Sequence, residues 1–234
     1  MKAAVVIFPG SNCDRDVIHA LEAVSCIPTQ AVWHKETSLP QDTGLVVLPG
    51  GFSYGDYLRC GAMAARSPIV PAVREHASRG GLVLGICNGF QVLTETGLLP
   101  GALLANISLE FICSNCLLKV ERTDTPFTSA FKKGQIVQFP IAHHEGLFFL
   151  PENELEELEA NGQVVFRYAS ADGSAGQQYS PNGALNGIAG IVNKGGNVLG
   201  LMPHPERASE RILGSSDGLG IWNSIKEWLE GRSK

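Results

Sequence analysis

Three short stretches carry residue types that could do covalent chemistry together. In Gly85-Ile86-Cys87-Asn88-Gly89 a thiol sits between two glycines. An apolar run, Leu82 to Ile86, precedes it, and Gly89 to Thr96 reads as the start of a helix. A strand that turns at once into a helix needs a strained turn residue and neighbours without a Cβ. This is the logic of the nucleophile elbow G-x-S-x-G, with cysteine in the serine position. The helix start aims backbone N–H groups at the sulfur, which favours an anion formed there. Taken alone, the pattern fits a buried structural cysteine beside a tight turn equally well.

The second stretch is Met202-Pro203-His204-Pro205-Glu206. Met202 and His204 each precede a proline, so the segment is expected to be extended. Residues two apart then share a side, and Glu206 can hold an imidazole nitrogen of His204. That supplies the base and the orienting carboxylate a cysteine nucleophile needs. A solvated charge pair in a surface turn is the plainer reading of this motif alone; the Cys87 elbow tips the balance to a triad. The third stretch, Leu48-Pro49-Gly50-Gly51-Phe52, ends an apolar run. Glycine there lets backbone N–H groups approach a ligand, and the N–H groups of Gly51 and Asn88 are assigned to an oxyanion hole. An ordinary left-handed turn would also use these glycines.

Other clusters earn less. Cys113-Ser114-Asn115-Cys116 has no second pair, and positions three apart on a strand face opposite ways. His143-His144-Glu145-Gly146 lacks a third spaced ligand and is read as a polar loop near the active-site rim. Gly10-Ser11-Asn12 is neither a Walker loop nor a dinucleotide fingerprint. No metal site is assigned.

The elements that must position these residues follow from the pattern. Ala3–Phe8 is a first strand, followed by a turn with Asn12 or Asp14 as candidate caps and a helix to about Val24. Thr29–Trp33, Leu45–Leu48 and Leu82–Ile86 are further strands, with a helix over Pro68 to Ser78. This alternation predicts a parallel sheet with helices on both faces, whose chemistry lies at the carboxyl ends of the strands. In the second half, Phe111–Val120, Ile136–Phe139, Val164–Tyr168, Ile188–Val192 and Val198–Met202 read as strands. Only Glu152–Ala160 and Leu219–Glu230 read as helices, and Asp172–Asn186 as a long loop. The expected fold is α/β: a three-layer sandwich whose mostly parallel central sheet is extended by antiparallel strands.

The 234 residues, 44% of them hydrophobic, suit one compact domain, taken as 1–234. The net charge of −5, with no basic run, argues against nucleic acid. Apolar stretches are strand-sized, so no membrane span is expected. The N-terminus reads as a core strand rather than a signal peptide, which points to the cytoplasm. The six cysteines are then read as free thiols.

The elbow Gly85-x-Cys87-x-Gly89-x-Gln91, the upstream Pro49-Gly50-Gly51 and the late His204-Pro205-Glu206 resemble the class I (triad) glutamine amidotransferases. Longer blocks narrow the resemblance. Pro9 to Asp14, Pro49 to Arg59, Gly85 to Gln91, Asn197 to Ala208 and Leu213 to Gly218 are similar to the glutaminase subunits of phosphoribosylformylglycinamidine synthases. The resemblance implies that Cys87 attacks the side-chain amide of glutamine while His204, oriented by Glu206, moves the protons. A glutamyl thioester forms, ammonia leaves, and water releases glutamate. It implies that Gln91 contacts the substrate, and that backbone around Ser108–Phe111 lines the glutamine pocket. It implies no cofactor in this chain. The ammonia goes to a separate large synthetase subunit that uses ATP and Mg²⁺, with a small bridging subunit in the same complex. The chain departs from that family at His143-His144-Glu145-Gly146-Leu147, where His-Gly-Glu-Gly is usual, and at Ser114, where arginine is frequent. Two alternatives stand beside this: an elbow-cysteine hydrolase without a synthetase, and a glutamine-binding regulatory module with a silent site.

Overall fold

A computed structural model describes residues 1–57 and 59–232. Leu58 of the Pro49-to-Arg59 block and the last two residues of the 1–234 span lie outside the described residues.

Apolar strand segments pair into one nine-stranded sheet. Its strands are β1 (Lys2–Ile7), β2 (Thr29–Trp33), β3 (Thr43–Leu48), β4 (Leu82–Ile86), β6 (Ile112–Val120), β7 (Ile136–His143), β9 (Val164–Tyr168), β10 (Ile188–Val192) and β11 (Val198–Leu201). Their order is β2-β1-β3-β4-β11-β10-β9-β6-β7. The first five in this order run parallel, and the remaining pairings are antiparallel. β3, β4, β10 and β11 are buried almost throughout, as expected of strands covered on both faces. The covering helices are α1 (Asp14–His19), α2 (Cys60–Ala64), α3 (Val70–Ser78), α4 (Asn88–Glu95), α5 (Glu152–Ala160) and α6 (Leu219–Gly231). The mostly parallel sheet with its antiparallel extension is the architecture expected from the alternation of elements.

Several local expectations needed correction. α1 passes into a π-helical turn over Ala20–Val24, so the helix changes register midway. Neither Asn12 nor Asp14 caps α1; Cys13 holds that position without a side-chain cap. β7 continues four residues past Phe139, through Pro140. It is an edge strand of the sheet, so the missing N–H of Pro140 costs no ladder bond. A second, two-stranded sheet of β5 (Ala102–Leu104) and β8 (Leu147–Phe149) lacks any sequence signal beyond its shortness. The residues of Asp172–Asn186 do form a loop, with a 3₁₀ turn at Gln177–Tyr179.

Register sets the site. Leu48 of β3 lies beside Gly85 of β4, and Ile86 lies beside Leu201 of β11. The three chain ends that follow, Pro49-Gly50-Gly51, Cys87 and Met202 to Glu206, therefore emerge side by side. The Cys87 N–H donates to the Leu201 carbonyl at 2.8 Å, which fastens the elbow to β11.

Candidate active site

Cys87 stands between β4 and α4 with φ 51° and ψ −106°, outside the regions an L-residue prefers. Such a conformation costs on the order of 1–3 kcal/mol and persists only where the surroundings over-determine it. Here the surroundings are glycine contacts. A Cβ on Gly89 would drive into the Leu48 carbonyl of β3, and one on Gly85 would lie 2.6 Å from the Gly89 carbonyl. The two glycines of the elbow thus let α4 start directly against the sheet. α4 is amphipathic, and its Phe90, Val92 and Leu93 are buried.

The carboxyl end of β11 delivers the second partner. His204 is extended (φ −102°, ψ 92°), and a 3₁₀ turn over Pro205–Ala208 follows. The His204 N–H donates to the Pro140 carbonyl of β7 at 2.8 Å, which pins the segment. His204 Nδ1 lies 2.6 Å from Glu206 Oε1, and both side chains are buried. A carboxylate only accepts, so Nδ1 carries the proton and Nε2 is left to act as a base. Nε2 has no hydrogen-bond partner among the described residues. Burial pushes the His204 imidazolium down, but the Glu206 carboxylate and the neighbouring Cys87 sulfur push it up further. The net shift is well above histidine's usual value.

Cys87, His204, Gly51 and Asn88 line one cleft of about 110 Å³. Larger depressions elsewhere, of about 480 and 610 Å³, contain no thiol–imidazole–carboxylate set. Gly50 packs against the pair itself: a Cβ there would lie 2.7 Å from His204 Cε1 and 3.2 Å from Cys87 Cβ. The strand end β3 therefore presents two consecutive glycines for different reasons. Gly50 makes room for the His204 ring and the Cys87 side chain, and Gly51 adopts φ +105°.

Gln91 and Phe111 also line the cleft. Gln91 Oε1 accepts from Asn88 Nδ2 at 2.6 Å, and Gln91 Nε2 donates to the Glu145 carbonyl at 2.8 Å. Phe111 stacks on Phe52 with ring centroids 6.1 Å apart, and both rings are exposed. Ser108 is not among the lining residues; its Oγ accepts from the Glu110 N–H at 3.3 Å.

The reading of His143 as part of a polar loop is corrected. It is the last residue of β7 and is buried. Its Nδ1–H donates to Asn106 Oδ1 at 3.0 Å, and Nε2 faces Asn182 Nδ2 at 3.4 Å. Burial first, then the charge of His204, lowers its pKa to about 4. His143 is thus a neutral, doubly engaged imidazole, while His144 bonds the Leu109 carbonyl at 3.2 Å.

Sequence reasoning missed Asn12, Cys13, Asn106, Asn182 and Arg207. Asn12, Cys13 and Arg207 line the cleft. Arg207 donates to Asp16 Oδ2 at 3.0 Å and to Cys13 Sγ at 3.2 Å. Donor atoms of Cys13, His204 and Glu206 lie within 4.8 Å of one another, a set that could suit a soft cation. Arg207 donates to the Cys13 sulfur and His204 Nδ1 bonds Glu206 Oε1, while His204 Nε2 and Glu206 Oε2 have no hydrogen-bond partner among the described residues. Asn106 and Asn182 lie 37 and 39 residues from the histidine they hold, a separation that leaves no local pattern. Cys113 is exposed, and burial pushes the Cys116 thiol up to about 12, away from reactivity at neutral pH.

Residues 1–230 match the model of the CobB/CobQ-like glutamine amidotransferase domain. The phosphoribosylformylglycinamidine synthase subunit PurQ of Bradyrhizobium diazoefficiens is 54% identical over 230 residues, covering 98% of this chain and 99% of that protein. The PurQ subunit of Gloeobacter violaceus is 57% identical over 225 residues, 96% of this chain and 97% of that protein. Among solved structures, PurLQS from Thermotoga maritima has a chain with TM-score 0.86 and 47% identity, covering 97% of this chain and 98% of that one. A putative GMP synthase subunit from Thermoplasma acidophilum, at 13% identity and TM-score 0.64, shares the fold. The chain belongs to the CobB/CobQ-like glutamine amidotransferase family.

Proposed function

We propose that Cys87, His204 and Glu206 form the catalytic triad with which this chain, the glutaminase subunit of phosphoribosylformylglycinamidine synthase, hydrolyses glutamine. The observation that carries the assignment is the single cleft that brings the strained elbow thiol and the buried His204 ring together while Glu206 holds Nδ1. Cys87 Sγ attacks the amide carbon of glutamine and its proton passes to His204 Nε2. The carbonyl oxygen becomes an oxyanion that the N–H groups of Gly51 and Asn88 stabilise. The imidazolium returns the proton to the leaving nitrogen, and ammonia departs from the thioester. Water, deprotonated by His204, attacks the same carbon through a second oxyanion, and glutamate leaves as the thiol is restored.

The ammonia passes to the synthetase subunit, which converts formylglycinamide ribonucleotide to its amidine in de novo purine synthesis. By the same reading a small bridging subunit completes the complex. ATP and Mg²⁺ act in the synthetase, and this chain itself uses no cofactor. Gln91 and Phe111, which line the cleft, receive the substrate, while Ser108 stands outside the lining. Residues 1–234 act as one glutaminase unit in the cytoplasm. Among the described residues no helix is long and apolar enough to cross a membrane.

Peptide mapping by mass spectrometry after acid quench of the assembled complex turning over glutamine tests this. A γ-glutamyl adduct on Cys87, absent in Cys87→Ala, is expected. An adduct on another cysteine, or turnover with no adduct in a His204→Ala variant that still hydrolyses glutamine, contradicts it. A hydrolase acting alone would give the adduct without forming the complex.

A further inference from the structure

The Gly50–Gly51 peptide has glycine on both sides, so side-chain sterics do little to fix its orientation. Only one face of this peptide can serve catalysis. In a trans peptide the carbonyl and the following N–H point in opposite directions. Whatever holds the Gly50 oxygen therefore sets where the Gly51 N–H points.

Ser11 Oγ donates to the Gly50 carbonyl at 3.1 Å, across 39 residues of sequence. Ser11 and Gly51 also form an isolated antiparallel bridge. Gly51, Cys87 and Asn88 line the cleft, whereas neither Ser11 nor Gly50 does. The Gly50 carbonyl is thus held on the Ser11 side of the peptide, and the Gly51 N–H points the opposite way, at a residue that lines the cleft with Cys87 and Asn88. The turn that carries Ser11 is itself braced. The Ser11 N–H donates to the Phe8 carbonyl at 3.1 Å at the end of β1, and the Tyr54 N–H donates to the Pro9 carbonyl at 2.6 Å. The hydroxyl therefore comes from a fixed point of the sheet.

We infer that Ser11 is a positioning residue, whose hydroxyl latches the Gly50–Gly51 peptide with its N–H aimed at the oxyanion. It touches no substrate atom and acts only through that peptide. The inference rests on the triad reading above. A latch of this kind leaves ground-state binding of glutamine alone and acts on both oxyanion-forming steps, so its loss reads in kcat rather than KM.

The test uses the assembled synthase and measures glutamine hydrolysis for Ser11→Ala, Ser11→Cys, Ser11→Thr and Cys87→Ala, each with its thermal midpoint and its ammonia-dependent synthesis. One neutral hydrogen bond is worth about 5-fold in population, and complete loss of an oxyanion donor about 10²–10³-fold. Ser11→Ala is therefore expected to lose about 5- to 100-fold in kcat, within those bounds. KM is expected to change less than about 3-fold, with ammonia-dependent synthesis and melting unchanged. Ser11→Thr, which keeps the hydroxyl, is expected to recover most of the loss. Ser11→Cys gives the same reading as Ser11→Ala if alanine impairs folding. Unchanged kcat in Ser11→Ala or Ser11→Cys overturns the latch, as does a loss that threonine does not recover or one that falls on KM. If Cys87→Ala still hydrolyses glutamine, the triad itself fails, and the two failures are told apart.

Discussion

Of the three histidines that line the Cys87 cleft, His204 and His143 have opposite chemistry, and their partners explain the difference. His204 has a carboxylate on Nδ1 and its imidazolium is stabilised; His143 has an amide oxygen on Nδ1, and its imidazolium is suppressed by burial and by His204. Because Glu206 raises the His204 pKa, the imidazolium that protonates the departing ammonia persists to higher pH than an ordinary histidine's. Removing the carboxylate lowers that pKa. Glu206→Gln is therefore expected to move the alkaline limb of the kcat profile to lower pH and to cut kcat less than His204→Ala does. A profile that stays fixed would separate Glu206 from the base. His143 gives a stability signature. Its folded pKa of about 4 lies below its unfolded value of 6.5, so the native state binds fewer protons between these values. Its contribution is complete above pH 6.5 and is lost as pH falls toward 4. The full shift corresponds to about 3 kcal/mol, with each pKa unit worth about 1.4 kcal/mol. Urea unfolding across that window should show wild type losing more stability than His143→Gln. Parallel curves for the two would contradict the assignment.

At the scale of elements, the site is a product of strand register and of glycines that let elements touch. The elbow glycines and Gly50 are all close-contact positions, but they are crowded by different things, and that predicts different phenotypes. At Gly89 the obstacle is the Leu48 carbonyl, a backbone atom that cannot turn aside. Gly89→Ala should push α4 off β3 and lower stability by about 1–3 kcal/mol or more, read in chemical denaturation. At Gly50 the obstacles are the His204 ring and the Cys87 side chain. Gly50→Ala should leave the unfolding midpoint within about 1 kcal/mol of wild type while abolishing most glutamine turnover, because the triad must shift to admit the methyl. Equal stability losses at the two positions would show that Gly50 supports the fold rather than the geometry of the site. The parallel strands and the elbow were legible in sequence because long apolar runs ending in glycine constrain the backbone locally. β5 and β8 were not, since three-residue strands carry no period. β7 was cut short because a proline ends a central strand but not an edge one.

Across the whole molecule, the residues of the proposed triad were legible as motifs and the contacts around them were not. Cys87, His204 and Glu206 stand in short motifs, an elbow and a carboxylate two residues from a histidine between prolines, although Glu206 falls in a 3₁₀ turn rather than in the extended segment expected. Asn12 and Cys13 reach the cleft, and Ser11 the Gly50 carbonyl, from the turn after β1, which lies next to β3, whereas Asn106 and Asn182 reach His143 from distant loops. Sequence order gives no sign of either approach. The Phe52–Phe111 stack leaves two aromatic rings exposed at the cleft, in keeping with a site that works inside a complex rather than in free solution. In that complex this chain only makes ammonia, and the synthetase uses it. The most direct measurement is the ratio of glutamine-dependent to ammonia-dependent amidine synthesis by the assembled complex carrying Cys87→Ala. The glutamine-dependent rate is expected to fall to background while the ammonia-dependent rate stays at the wild-type level; retention of glutamine-dependent synthesis, or loss of both rates in a correctly assembled complex, would contradict the assignment of Cys87.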